Sequence, residues 1–401
     1  MKNMPTRTAY IMIGLGGMVN LCLGAVYSYS VFRIPLEQAL GIPTAVSGYP
    51  YMVFLSLFAL TMPFAGFLLE RIGPRSTAFI GGTLVAGGWF LAGFAGSITQ
   101  VTLFYGVLGG IGVGIAYGVP LSLAARWFPQ RPGLAAGITL LGFGMSPFIT
   151  APLAGFIIEQ FGVLTAFRSM GIGFAVIITL CALPMYLPQA AAAGGHRGEG
   201  LAAKAMLKTP QFWGLWFCFT LGTIVGLTAI GITSPVAQSA LGFSSGAAAT
   251  AVSLMAVFNG IGRPIFGSLT DNFGIRRAAQ SAFGLIVLAS LLILLIWQIP
   301  DAPAWLRVSM FGISFAFLWL VLGGWLAIAP AATTQLFGRR YYSRNYGFVY
   351  TAYGAGAIIG TVSSGAMYEL FASFQMVFVV LLGAGAVGLA VSARLLPGQP
   401  S

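Results

Sequence analysis

Charged residues are scarce in this sequence. They occupy 6% of its 401 positions, whereas soluble globular proteins average about 25%. So small a share cannot cover the surface of a water-soluble domain of this length, which excludes a cytosolic enzyme, a nucleic-acid-binding protein and a disordered chain. The net charge of +12 does not change this conclusion, because the 19 basic and 7 acidic residues stand singly between apolar runs and form no phosphate-binding patch.

Residues for metal binding and nucleophilic catalysis are also few. The three cysteines, Cys22, Cys181 and Cys218, lie inside apolar stretches, which indicates neither a disulfide framework nor a thiolate metal site. The single histidine, His196, lies in a polar segment. The sequence contains no GxxxxGK[ST] motif, so we do not expect ATP to act directly on it. We therefore expect neither a cofactor nor a metal, and no enzymatic activity.

Long apolar runs are what the sequence has instead. Hydrophobic residues make up 58% of the chain, and about 20 consecutive apolar residues suffice for a helix to cross a bilayer. These runs predict an all-α membrane protein. Twelve such runs predict twelve transmembrane helices, at 8–32, 46–69, 77–97, 99–125, 133–158, 164–188, 210–239, 246–270, 277–299, 304–334, 346–370 and 373–395.

The basic residues predict the orientation of these helices. Fifteen of the 19 lie in the termini and in connections on one side of the predicted membrane, where positively charged segments remain in the cytoplasm. The other side carries Arg33, Arg168 and Arg307, and Arg263 falls within a span. We therefore expect both termini in the cytoplasm and a multi-pass protein of a bacterial cytoplasmic (inner) membrane.

A repeated loop motif divides the chain into two halves. A polar linker, 189–209, separates an N-terminal six-helix bundle, 1–188, from a C-terminal six-helix bundle, 210–401. Equivalent loops follow the second helix of each half, and matched glycines are offset by 201 positions; two unrelated short loops would not share this spacing. Glycine permits close helix approach and a tight turn, and arginine holds a loop in the cytoplasm. The residues of these predicted gating loops are Gly66, Glu70, Arg71, Gly73 and Arg75 in the first half, and Gly267, Asp271, Gly274 and Arg276 in the second.

The parallel halves and their loop motif resemble the major facilitator superfamily. Further segments are similar to the oxalate/formate antiporter family, which grades into the monocarboxylate transporters. The resemblance implies a secondary transporter in which two six-helix bundles rock about a central cavity. The segments are Ala125-Arg126-Trp127-Phe128-Pro129, Thr209-Pro210-Gln211-Phe212-Trp213, Phe258-Asn259-Gly260 with Gly262-Arg263-Pro264, and Ser343-Arg344-Asn345-Tyr346-Gly347.

Arg263 is the residue that we expect to bind the substrate. All seven acids fall at or near span ends, so none is available at mid-membrane to neutralise it, and an unpaired charge there costs several kcal/mol. A carboxylate substrate would supply the missing anion through two parallel hydrogen bonds. The alternatives are a guanidinium that reaches the headgroups, about 12 Å away near Asp271, and a buried ion pair. The resemblance implies the substrate role separately, because the matching arginine of oxalate transporters binds substrate.

Two positions depart from the related families. Asn259 occupies a position that resembles the one where proton-coupled animal monocarboxylate transporters have a proton-exchanging aspartate. An amide cannot titrate, so we do not expect proton coupling through this residue. Tyr353 stands where oxalate transporters have a lysine. One fixed positive charge suits one carboxylate, with the phenol either bonded to a hydroxyl or keto oxygen or packed at a helix contact. These departures predict a monocarboxylate such as lactate, pyruvate or formate.

Aromatic residues are expected around the anion. The resemblance implies that Tyr27, Tyr117 and Phe143 line the cavity, and Tyr350 shares a helix face with Tyr353. Such rings exclude water and strengthen the contact of an anion with Arg263, although ordinary helix packing would place them equally well.

Transport is then expected by anion exchange or proton symport. The expected partners are a small monocarboxylate anion, a proton or counter-anion and the lipid bilayer, with no nucleic acid and with the protein a monomer. A drug exporter of the same superfamily would favour an acid in its cavity. A membrane receptor or scaffold that no longer transports is the alternative from another class.

Overall fold

The structure, a computed structural model, describes residues 7–128, 132–186, 200–338 and 340–398. Within these ranges the chain is helical, with one isolated bridge between Gly200 and Gly338. Most of the predicted linker lies outside the described residues. In chain order the α-helices are α1 (Arg7–Leu23), α2 (Ser30–Leu40), α3 (Thr44–Ser47), α4 (Tyr49–Ala92), α5 (Ile98–Val101), α6 (Gly110–Ala116), α7 (Gly118–Trp127), α8 (Pro132–Gly144), α9 (Ser146–Phe161), α10 (Val163–Ala182), α11 (Ala203–Met206), α12 (Pro210–Leu241), α13 (Ser245–Gln298), α14 (Ala304–Phe337), α15 (Tyr342–Phe371) and α16 (Gln375–Leu395).

Nine helical segments of the described ranges are long and apolar enough to cross a membrane. Two helices, α4 with 44 residues and α13 with 54 residues, are too long for one crossing, since 54 residues in a straight helix would extend about 81 Å. Each of them contains one glycine outside helical geometry, Gly73 (φ 78°, ψ 172°) and Gly274 (φ 81°, ψ 165°). A side chain is strained at this positive φ, so glycine is the residue that permits the kink.

The chain folds back at Gly274. Phe266 lies against Gly324, where an added Cβ would come within 2.4 Å of its ring, and Phe283 packs on Trp325 with ring centroids 5.4 Å apart. In a straight helix the two phenylalanines would be about 26 Å apart, yet they contact consecutive residues of α14. Two antiparallel arms therefore make up α13.

The equivalent turn in α4 lies at Gly73. A Cβ on Gly109 would lie 2.5 Å from the Phe54 ring, and a Cβ on Gly88 would lie 2.9 Å from the Gly109 nitrogen. Residues 54 and 88 would be about 51 Å apart in a straight helix, so α4 also consists of two arms. The two loop motifs therefore adopt the same backbone turn.

The offset of 201 also relates residues outside the loop motif. Gly41 and Gly242 both end a helix in the left-handed conformation, with φ of 62° and 69°. Pro63 and Pro264 both lie inside helices, in the arms that lead to the two loops. The repeat therefore extends over at least the first two long helices of each half.

The loop arginines connect the two ends of each half. Arg75 donates from Nε to the carbonyl of Leu183, at the end of α10. Arg276 donates from Nε to the carbonyl of Leu396, at the end of α16, over 2.7 Å. Because the last carbonyls of a helix lack partners within it, each arginine satisfies one of them and connects the loop to the final helix of its half.

Three predicted spans are interrupted. A 3₁₀ segment, Gly24–Ser28, separates α1 from α2, and a π-helical segment, Thr102–Gly109, separates α5 from α6. Tyr117 lies at the junction of α6 with α7, and Met145 (φ −91°, ψ 1°) at the junction of α8 with α9. Such irregular turns free backbone groups and concentrate at functional sites.

Arg33, which the charge pattern predicts on the side opposite the termini, lies in α2, which continues from Ser30 through Pro35 to Leu40. Its side chain is buried, with only 5% exposed. Its guanidinium is accommodated because all three nitrogens bond to protein acceptors. Arg33 is therefore a second buried arginine besides Arg263 among the described residues.

Candidate functional site

Arg263 lies in the first arm of α13 and is only 5% exposed. Its Nη1 donates to the carbonyl of Leu140 in α8 over 2.9 Å, and the Tyr117 hydroxyl lies beside the guanidinium. The other two nitrogens, Nε and Nη2, are buried without a hydrogen-bond partner. The side chain therefore extends towards α8 in the protein interior, which is not the position of an arginine that reaches for headgroups.

Gly144 allows the end of α8 to approach this arginine. A Cβ at this position would lie 2.8 Å from Asn259 Oδ1, 3.2 Å from Arg263 Nη2 and 3.3 Å from Arg263 Nε. Asn259 is fully buried, donates from Nδ2 to the carbonyl of Trp319 over 3.3 Å, and has no partner at Oδ1. The two unpaired nitrogens of Arg263 and the unpaired Oδ1 of Asn259 therefore converge beside Gly144, which has no side chain.

Three of the expected aromatic residues meet beside the arginine. Phe143 packs edge-to-face against Tyr27 and against Tyr117, with ring centroids 5.2 Å apart in both pairs. The interruptions of the helices position these rings. Tyr27 lies in the 3₁₀ segment, Tyr117 between α6 and α7, and Phe143 two residues before the break at Met145.

Tyr353 and Tyr350 join this group from α15. The hydroxyls of Tyr353 and Tyr27 are 2.8 Å apart, and Tyr350 stacks on Tyr353 with ring centroids 4.9 Å apart. In a pair of hydroxyls one donates to the other, which leaves one O–H hydrogen free for a further acceptor. The phenol of Tyr353 is thus both a helix contact and a hydrogen-bonding group.

Phe58 is a member of the site that the sequence interpretation missed. It is fully buried in the first arm of α4. Its position could have been inferred from the repeat, because the offset of 201 pairs it with Asn259. Ring centroids lie within 6.0 Å of Phe58 for four of the expected residues, Tyr117, Phe143, Tyr350 and Tyr353.

The predicted gating loops lie apart from this cluster. Arg71 and Asp271 are exposed, and Arg71 lies over the Phe67 ring at 5.8 Å. A Cβ on Gly66 would meet nothing within 4 Å, and one on Gly267 only the Ala327 side chain at 3.9 Å. The side chain of Glu70 lies outside the described part of the chain. The gating role of these loops stays a prediction.

The polar side-chain groups of the site are the Arg263 guanidinium, the Asn259 amide and four phenols, those of Tyr27, Tyr117, Tyr350 and Tyr353. In the described ranges no three His, Cys, Asp or Glu residues are grouped as metal ligands. The three cysteines are free and buried.

The folded-back helices and interrupted spans are the architecture of a membrane transporter. The nucleoside transporter NupG, in a mutant crystal structure, shares this fold with a TM-score of 0.74 over 97% of this chain and 100% of its own. At 15% identity the likeness concerns the fold alone.

The sequence comparisons give the family. The profile of the Major Facilitator Superfamily matches residues 13–332, so the chain belongs to that superfamily. The oxalate:formate antiporter of Oxalobacter formigenes is 31% identical over 346 residues, which cover 84% of this chain and 79% of that protein. Monocarboxylate transporter 13 of Bos taurus is 25% identical over 380 residues, 94% of this chain and 85% of that protein. The chain is thus a member of the oxalate/formate antiporter-like family, as the sequence motifs predict.

Proposed function

We propose that this protein is a secondary transporter that moves a small monocarboxylate, such as lactate, pyruvate or formate, across a bacterial inner membrane. The observation that carries the proposal is the free edge of Arg263. Its Nη1 is occupied by Leu140, whereas Nε and Nη2 are buried without partners. These two nitrogens form one edge of the guanidinium, and a carboxylate accepts two parallel hydrogen bonds from such an edge.

The single charge of the site supports a monocarboxylate. The names of the relatives mention oxalate, formate and monocarboxylates. Tyr353 lies where a lysine would be needed to bind a second carboxylate, and its hydroxyl is engaged with Tyr27. These groups favour a substrate whose carboxylate binds Arg263 and whose hydroxyl or keto oxygen bonds to the paired phenols of Tyr27 and Tyr353.

The proposed mechanism is alternating access between two six-helix halves, 1–188 and 210–401, joined by the linker 189–209. We infer twelve crossings: the nine apolar segments, the second arms of α4 and α13, and α15. An even number keeps both termini on one side, which the basic loops favour as the cytoplasm. The protein acts as a monomer. The matched glycine turns at Gly73 and Gly274 support this division.

Exchange of one anion for another is the coupling that the site favours. Asn259 cannot titrate, and it occupies the position beside Arg263 where a proton-accepting acid would be expected. Exchange needs no titrating residue, because the returning anion neutralises Arg263 in place of the departing one. Net uptake driven by a proton gradient alone would contradict this part of the proposal.

Labelled lactate uptake into proteoliposomes tests the function. We expect saturable uptake by the wild type, stimulated by internal lactate, and none by Arg263→Lys, because an ammonium cannot present two parallel N–H groups. Arg168→Lys is the matched control, since Arg168 is half-buried on the Phe94 ring, away from the site. An Arg263→Lys protein that transports like the wild type would show that Arg263 is a structural charge.

A further inference from the structure

The second buried arginine, Arg33, binds only neutral acceptors. Its Nε donates to Ser47 Oγ over 3.0 Å, Nη2 to the carbonyl of Thr44 over 2.8 Å, and Nη1 to the carbonyl of Gly231 over 3.1 Å. An arginine has five N–H groups, so two remain after these three bonds. The charge itself is therefore not neutralised by direct contact with an acid.

Glu37 is near but is occupied by hydroxyl groups. Its Oε2 accepts from Thr44 Oγ1 over 2.9 Å, and its Oε1 accepts from Ser47 Oγ over 2.6 Å. The Ser47 hydroxyl therefore stands between the carboxylate and the Arg33 guanidinium. The acid orients the Ser47 hydroxyl that accepts from Arg33 and makes no direct bond to the guanidinium.

A small cavity adjoins this guanidinium. Besides Arg33 its wall includes Tyr51, Thr228, Thr361 and Ser364, so hydroxyl groups come from α4, α12 and α15. Thr228 Oγ1 is buried without a partner. The cavity thus lies beside one cation and four hydroxyl-bearing residues, between the two halves of the chain.

The cavity lies along the seam that leads to Arg263. Arg33 follows Tyr27 by six residues, which is about 9 Å along a helix, and Thr361 follows Tyr353 by eight residues, about 12 Å. Tyr27 and Tyr353 contact each other in the central site. The segment from Tyr27 into α2 and the helix α15 therefore both lead from the central site to the cavity beside Arg33. This cavity lies towards the membrane side opposite the N terminus.

We propose that Arg33 forms a second, outer anion site, where a carboxylate binds on its way to or from Arg263. The proposal deepens the proposed function and rests on it. The bond to Gly231 is the one Arg33 bond that joins the two halves, because Ser47 and Thr44 belong to the same half as Arg33. When the halves separate on this side, Nη1 loses the Gly231 carbonyl and a carboxylate replaces it, while Ser47 and Thr44 hold the guanidinium in place.

Ligand-observed saturation-transfer NMR on purified protein tests this site without the central one. The probes are formate, lactate and pyruvate, and the background is Arg263→Gln, which removes the central guanidinium. We expect at least one probe to retain a saturable signal in this background. Arg33→Gln should reduce that signal by about tenfold or more, because it removes the charge-assisted hydrogen bonds of the guanidinium to the anion. Arg307→Gln in the same background is the matched control, because Arg307 lies on the same side but bonds to Ala240.

Two outcomes overturn the proposal: no saturable signal in the Arg263→Gln protein, or a signal that Arg33→Gln leaves unchanged. If Arg33→Gln does not purify as a monodisperse protein, Thr361→Val replaces it, since this variant keeps the shape of the cavity wall and removes a hydroxyl. It is expected to weaken the signal, and an unchanged signal counts against the site.

Transport from each side separates an anion site from a simple latch. Loss of an outer anion site by Arg33→Gln raises the KM for substrate on that side. Loss of a latch alone opens that side more often and lowers the KM there, which would contradict the proposal. Failure of the proposed function is seen separately, as a wild type that carries none of the three anions.

Discussion

Replacement of Gly144 by alanine tests the binding edge of Arg263 without removing its charge. The added methyl carbon would lie 3.2 Å from Nη2 and 3.3 Å from Nε. A bound carboxylate oxygen, at about 2.7–2.9 Å from these nitrogens, would have to lie against the face of Gly144 from which the methyl group would project. The methyl group and the carboxylate therefore exclude each other, while the guanidinium keeps its bond to Leu140.

The size of the effect follows from the bonds that are lost. A hydrogen bond to a charged group contributes about 1.5–3 kcal/mol, so loss of one of the two raises the KM by about 10- to 100-fold. The same methyl group would lie 2.8 Å from Asn259 Oδ1, which requires a small shift of that amide. Stability is expected to change little, because alanine is favoured over glycine in a helix by about 1 kcal/mol.

Initial rates of labelled lactate uptake over a range of concentrations provide the assay. Gly118→Ala is the control, since a Cβ there would meet nothing within 4 Å and the residue adjoins Tyr117 in the same half. Equal thermal stability of both variants would show that the loss concerns binding. A Gly144→Ala protein with the wild-type KM would refute the assignment of the anion to this edge of Arg263.

Three further predictions concern the surroundings of the site. Phe58→Ala removes the ring between the aromatic residues and should lower the KM for butyrate relative to that for lactate in competition assays. Phe64→Ala, on the exposed face of the same arm, should leave this ratio of KM values unchanged. An unchanged ratio in both variants would place Phe58 outside the cavity. Tyr353→Phe should raise the KM for lactate about 2- to 10-fold, the value of one neutral hydrogen bond, and leave that for formate unaltered; equal effects on both anions would indicate a packing role. Arg276→Ala frees the carbonyl that ends α16 and should slow turnover at constant KM, whereas the exposed Arg277→Ala should not; wild-type turnover in both would remove the loop from the mechanism.

The sequence alone singles out the charged residue of the candidate site and the turns of the repeat. A basic residue in an apolar run without an acid at its depth predicts a binding role for Arg263, and the repeat spacing predicts the turns at Gly73 and Gly274, where the structure has matching backbone conformations. These inferences depend on local composition and on matches along the chain, which a sequence displays directly.

Contacts between distant helices were beyond such reasoning. Arg33 follows the end of a predicted span, and the acceptor for its Nη1 is the carbonyl of Gly231, 198 positions later. The interruptions at Tyr117 and Met145 had a local signal that the sequence interpretation did not use, because Pro120 and Pro147 follow them by three and two residues. Phe58 is one phenylalanine among 32, and apart from its repeat match with Asn259 its place in the site is visible only from its ring contacts in both halves.

The distribution of polar bonds explains how binding can be coupled to rocking of the two halves. Within each half, the loop arginine bonds to the end of the last helix, so the first loop and the final helix move together. Across the seam, polar bonds join Arg263 to Leu140 and the Tyr27 hydroxyl to Tyr353, and outside the central site they join Arg33 to Gly231, Tyr51 to Leu227 and Ser253 to Phe148. The first two bonds lie in the proposed binding site, where a bound carboxylate can supply acceptors to the same donors. A substrate that replaces these bonds lowers the cost of separating the halves, whereas an empty site leaves Arg263 without an acceptor once Leu140 moves away. This asymmetry favours movement with an anion bound over movement without one, which is the condition for exchange.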